Sequence, residues 1–102
     1  MATLYQPDGR TKEVRPSDGK HWTLAELQTM IGQQEIEVVL TTDGKFMVVD
    51  EMSKFRAESE LNIPATRIYV HGRQDVIIGN ALVVDTLAEL NGPEKTDEKS
   101  DG

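Results

Sequence analysis

"EIEVVLTTDGKFMVVDE", residues 35–51, decides the fold. Two β-branched runs flank Asp43-Gly44, the pair that suits a two-residue type I′ hairpin turn. Such a turn predicts Leu40 opposite Met47, Val39 opposite Val48 and Val38 opposite Val49. Continued outward, it sets Glu37 opposite Asp50, with Glu51 beside Ile36. Apolar residues then fall on both faces of the hairpin: Val38, Leu40, Met47 and Val49 on one, Val39, Phe46 and Val48 on the other. A single helix covers one face. The second must meet another part of the chain or a partner subunit, so a homo-oligomer fits the pattern.

On the N-terminal side, "TLYQPDGRTKEV" reads as a second hairpin, closed at Pro7-Asp8-Gly9 by a type I turn with a bulge. "SDGKHWTLAELQTMIGQ" follows with a clear helix start. Thr23 stands at the N-cap and Glu26 three residues on, the spacing of a capping box. Trp22 and Leu27 occupy the hydrophobic-staple positions. Leu24, Leu27 and Ile31 share one face, and Gly32 is a natural stop.

On the C-terminal side, "MSKFRAESELNIPAT" has weak periodicity. It predicts an irregular crossing with one helical turn at most, anchored by Phe55, Leu61 and Ile63. In this reading Asn62 bonds local backbone and sets the chain's entry into the next strand. "TRIYVH" and "DVIIGNALVVD" are then two further strands, and a short helical turn around "TLAEL" follows. Gly79-Asn80 interrupts the last of these strands. No helix start follows it, as a phosphate cradle would require, so the pair predicts a β-bulge or a sharp strand bend.

These elements give an α+β domain over residues 1–91: a mainly antiparallel sheet of four to six strands with one covering helix. Short connections impose the antiparallel pairing. Residues 92–102, "GPEKTDEKSDG", predict a disordered acidic tail.

Composition narrows the chemistry. The 102 residues contain no cysteine, which excludes disulfides, thiolate nucleophiles and cysteine-ligated metals. No apolar run reaches the length of a membrane span and no secretion signal stands at the start, so a cytoplasmic protein is the simplest expectation. The net charge is −7, of which residues 92–102 hold only −2. An acidic body disfavours direct contact with nucleic acid phosphates.

Three groups of side chains could carry chemistry. With the predicted register, Glu37, Asp50 and Glu51 cluster at the open end of the hairpin, where like charges raise a pKa or hold a divalent cation. Splayed strands, or a basic neighbour such as Arg67, would dissolve that cluster. His21 and His71 lie outside any zinc-binding spacing, and no metal is expected; an Asp75–His71 contact could orient the imidazole. Arg67, Tyr69 and His71 share one face of the predicted strand, with Arg73 next. They form the one cationic–aromatic stripe in the chain, able to stack a base and hold a phosphate.

Four motifs in order, "LAELQTMIGQ", "DGKFMVVDE", "LNIPAT" and "DVIIGNALVV", resemble a small family found in bacteriophages and in mobile or host bacterial genomes, a domain of unknown function. They span residues 24–84. The family's helix ends in Gly-Gly where this chain has Gly32-Gln33, and its second hairpin strand often ends Asn-Glu where this chain has Asp50-Glu51. The resemblance brings no activity, cofactor or catalytic residue. It implies a context in which small accessory proteins bind a host component, often one of defence.

The first functional expectation is therefore a non-enzymatic accessory protein that acts on a host macromolecule, most simply a protein. The alternative is a homo-oligomeric nucleotide-binding module or sponge, its pocket formed by Arg67, Tyr69, His71, Arg73, Gly79 and Asn80. An enzyme built on Glu37, Asp50 and Glu51 ranks last, because neither a nucleophile nor a complete metal set accompanies them.

Overall fold

In the computed structural model, which describes residues 2–56 and 60–90, both Asp-Gly pairs close hairpins of one kind. The first joins β1 (Ala2–Tyr5) to β2 (Thr11–Val14), and the second joins β3 (Ile36–Leu40) to β4 (Phe46–Asp50). Gly9 N–H donates to Gln6 C=O at 3.0 Å and Gln6 N–H to Arg10 C=O at 2.9 Å. Gly44 N–H donates to Thr41 C=O at 3.2 Å and Thr41 N–H to Lys45 C=O at 3.0 Å. Each is a type I turn whose last residue is a left-handed glycine bulge, with φ of 93° at Gly9 and 84° at Gly44. The form expected at the first hairpin thus recurs at the second. The Thr41 hydroxyl favours it there, bonding the Asp43 carboxylate and accepting from Lys45 N–H.

The longer turn moves the register by one residue from the sequence-based expectation. Val38 lies opposite Val48, Val39 opposite Met47, Leu40 opposite Phe46, Glu37 opposite Val49 and Ile36 opposite Asp50. Because side chains alternate, a one-residue slip regroups both faces. Val38 and Leu40 share a face with Phe46 and Val48, while Val39 joins Met47 and Val49.

The five strands run β2-β1-β5-β4-β3, every neighbour antiparallel, with β5 (Ala81–Val84) at the centre between the hairpins. β5 is buried along its whole length, so its sequence is apolar throughout instead of alternating. The α+β class with one main helix on an antiparallel sheet is what the sequence predicts.

That helix, α1 (Leu24–Ile31), covers one face. The capping box at Thr23 and Glu26 is present, and Gly32 ends the helix in the left-handed conformation. Trp22, Leu27 and Ile31 are buried with Leu4, Val48, Leu82 and Val84 in the first core cluster. Leu24, expected on the same apolar face, is exposed. The predicted turn around "TLAEL" is a 3-10 segment, Leu87–Leu90, whose Leu90 joins this cluster.

The second face is covered within the chain, by a short 3-10 turn, Ser53–Phe55, a helix α2 (Ile63–Ile68) and the loop that follows. Ala65 and Ile77 pack there on Met47, Val49, Ala81 and Val83, with Val39, Ile68 and Tyr69 at the margin. A partner subunit is not needed to bury this face. The crossing itself differs from the expectation. Phe55 is 82% exposed and Leu61 and Ile63 are also exposed, so none of the three anchors it. "TRIYVH" is not a strand: Asn62 caps α2, Pro64 sits in its first turn, and the helix runs to Ile68. The Gly79-Asn80 break is the bend that precedes β5, and residues 75–77 before it are not strand. The tail expected over 92–102 lies outside the described residues. No helix among those residues is long and apolar enough to cross a membrane.

Candidate functional site

The cationic–aromatic stripe is dispersed by the helical period of α2. Arg67 is exposed on the last turn of α2, Tyr69 is the half-buried C-cap residue packed on the second core cluster, and Arg73 is exposed in the turn beyond. Tyr69 and His71 do meet, edge to face, with ring centroids 5.6 Å apart. Asp75 does not orient His71. Its carboxylate binds Lys54 and the Val76 N–H, and the Lys54 contact is the main reason its pKa lies below the ordinary value. Gly79 and Asn80 stand apart from the stripe. The Asn80 amide donates to Met30 C=O at 3.0 Å, at the end of α1 and so on the opposite face of the sheet from Tyr69. Asn80 satisfies one of the carbonyls that a helix C-terminus leaves unpaired. The six residues of the proposed ligand pocket therefore do not converge.

Glu37, Asp50 and Glu51 line one cleft, but not through the predicted cross-strand pairing. Ile36, not Glu37, opposes Asp50, so Glu37 and Asp50 lie on opposite faces. Asp50 is 5% exposed and accepts from Arg56 Nε at 2.7 Å, Arg56 Nη2 at 3.4 Å and Met52 N–H at 2.9 Å. Arg56 also reaches Glu35 at 3.2 Å. The Asp50 hydrogen bond is the principal cause that raises the guanidinium pKa. A buried carboxylate needs such a paired, hydrogen-bonded partner. The basic neighbour is Arg56, not Arg67. Among the described residues no group of three or more His, Cys, Asp or Glu side chains could hold a metal ion.

Glu37 and Glu51 rim a shallow cleft of about 80 Å³ on the second face with Lys54, Tyr69 and Asp75, and the Arg56-paired Asp50 lines it as well. That volume holds a few waters and is too small for a nucleotide. Neither Glu37 nor Glu51 has an ion-pair partner among the described residues, whereas Lys54, Asp75, Asp50 and Arg56 are all paired.

This uncompensated charge lies along an edge of the sheet. β3 is the terminal strand. Thr41 N–H bonds Lys45 C=O and Glu51 N–H bonds Glu35 C=O, so the odd-numbered residues of β3 direct their main-chain groups at β4. Even-numbered residues point outward, as Leu40 confirms by accepting from Val70 N–H at 3.0 Å. The outward N–H and C=O of Ile36 and Val38 have no partner among the described residues. Beside them the Val38 and Leu40 side chains are 46% and 50% exposed. The sequence placed these valines and leucines in the hairpin but could not mark β3 as an edge, because strand order is set by which strand β5 inserts between.

Neither a curated protein nor a solved structure matches the chain. A family profile does, over residues 2–98, and by that match the chain belongs to the family described as Domain of unknown function (DUF3846).

Proposed function

We propose that the chain is a non-enzymatic accessory binding protein that acts on a host macromolecule, most simply a protein, in the phage or mobile-element setting that its sequence resemblance implies. The observation that carries this reading is the β3 margin, where exposed Val38 and Leu40 flank one side of the edge and Glu37, with Glu51, the other, both carboxylates without an ion-pair partner among the described residues. Apolar area beside uncompensated like charge is the composition of a surface that waits for an oppositely charged partner. The net charge of −7 steers such a partner from a distance and weakens with salt.

The nucleotide-binding alternative rests on Arg67, Tyr69, His71 and Arg73. Pull-down from a bacterial host lysate at low and high salt separates the two readings. The expected result is a stoichiometric protein complex that weakens as salt rises, disappears with Val38→Arg and survives Arg67→Ala combined with Arg73→Ala. A multimer that carries a nucleotide mass in native mass spectrometry, and loses it in the double-arginine variant, would replace this reading with the nucleotide-binding one.

A further inference from the structure

We infer that the β3 edge takes up an extended segment of the partner protein as a sixth strand, and that this segment carries basic residues on one side and apolar residues on the other. The inference rests on the binding reading above and names its mode and chemistry. An edge strand with free N–H and C=O groups is a template for main-chain pairing, with affinity from the ladder and specificity from alternate side chains. On β3 the template is local. Leu40 C=O and Thr42 N–H are already bonded to Val70 and Ile68, and Thr41 pairs with Tyr69, so the chain itself closes the turn end of the edge. Among the described residues the outward groups of Ile36 and Val38 stay open, enough for a partner segment of about five residues.

The two rows of side chains fix the chemistry of that segment. On the helix-covered face its residues meet Ile36, Val38 and Leu40, which selects apolar ones. On the other face they meet Glu37, with Glu51 in the same cleft, which selects Lys or Arg. A second copy of this chain fits poorly, and pairing about Ile36 would need the Gln34 carbonyl, which already accepts from Gln28 Nε2. Antiparallel pairing about Glu37 opposes that carboxylate to its own copy, and pairing about Val38 needs the Leu40 carbonyl that Val70 occupies. The opposite edge, β2, offers an exposed strand with Lys12 and Glu13 and no comparable apolar row.

The test uses the 15N-labelled full chain and three synthetic heptapeptides: alternating Lys-Val, alternating Glu-Val, and a block-ordered isomer of the Lys-Val peptide. The Lys-Val peptide is expected to shift the amides of Ile36 and Val38, with at least tenfold weaker binding by the other two. Val38→Pro removes an outward N–H and leaves the ladder to β4 intact, a position at which an edge strand tolerates proline. It is expected to melt cooperatively and to lose peptide binding. Glu37→Lys, which does not depend on that backbone change, is expected to reverse the preference between the Lys-Val and Glu-Val peptides. Equal binding of the block-ordered isomer, shifts centred on Arg67–Arg73, a β3-mediated dimer in sedimentation, or an unchanged preference in Glu37→Lys overturns the inference. A host complex that persists in both variants overturns it while leaving the binding reading intact. Absence of any host complex removes the binding reading, and the peptide titration still decides the edge.

Discussion

Asn62 ties together three segments that are distant in sequence. It is fully buried; its Nδ2 donates to Tyr5 C=O at 3.0 Å and to Gly79 C=O at 2.7 Å, and its Oδ1 accepts from Ala65 N–H at 3.1 Å. Asn62→Ala removes the donor to the Tyr5 and Gly79 carbonyls, the acceptor of the Ala65 N–H and with it the α2 cap. The expected loss is about 3 kcal/mol in chemical denaturation. Asn62→Asp keeps the cap acceptor but replaces two donors by a carboxylate facing carbonyls, and is expected to unfold as readily as the alanine variant. A stability near that of the unsubstituted chain in either variant would show that the bonds to Tyr5 and Gly79 carry little weight. The sequence marks Asn62 as a residue that bonds backbone, because its capping habit is local. The bond to Tyr5, 57 positions away, leaves no trace in the neighbouring residues.

At the scale of elements, α1 is held at its start by reciprocal bonds that are all short-range. Thr23 Oγ1 accepts from Glu26 N–H at 3.2 Å, and Glu26 accepts from Thr23 N–H at 3.0 Å and from Ser17 N–H at 2.8 Å. Thr23→Ala is expected to cost about 1 kcal/mol. The Glu26 pKa lies below its ordinary value, chiefly through the bond from the Thr23 backbone and then those from Ser17. A depressed folded-state pKa means that the carboxylate stabilises the fold above its unfolded value and that this support fades as pH falls through the folded value. Urea titrations of Glu26→Gln against the parent chain should therefore differ at neutral pH, start to converge as pH falls through the ordinary glutamate value of about 4.3, and meet only below the depressed folded-state value. A gap that stays constant down to pH 3 would rule out this linkage. Helix α1 was legible to the residue because its caps are its neighbours. The β3–β4 register was not, since Asp-Gly serves the two-residue turn and the bulged turn alike. The β-branched run before Tyr69 likewise read as strand, although its packing against the sheet and the Asn62 cap make it helix.

For the molecule as a whole, the sheet has two buried faces, and the second is sealed by a small residue. Ala65 is fully buried among Met47, Val49, Ala81 and Val83. Ala65→Arg is expected to lift α2 from the sheet and expose that apolar face, seen as concentration-dependent self-association in sedimentation and enhanced binding of a hydrophobic dye. A monomer with parental dye binding would place the sealing elsewhere in the crossing. The same layout explains the reach of the sequence. By itself it determined the α+β class, the two hairpins, the helix and its caps, and the acidic, cysteine-free chemistry, because each depends on residues a few positions apart. Only the tertiary structure decided that β5 inserts between the hairpins and leaves β3 as an edge, that α2 covers the second face, and that Arg56 neutralises Asp50 while Glu37 has no ion-pair partner among the described residues. Those outcomes depend on which surfaces meet once the chain collapses, and burial at a distance overrides local propensity.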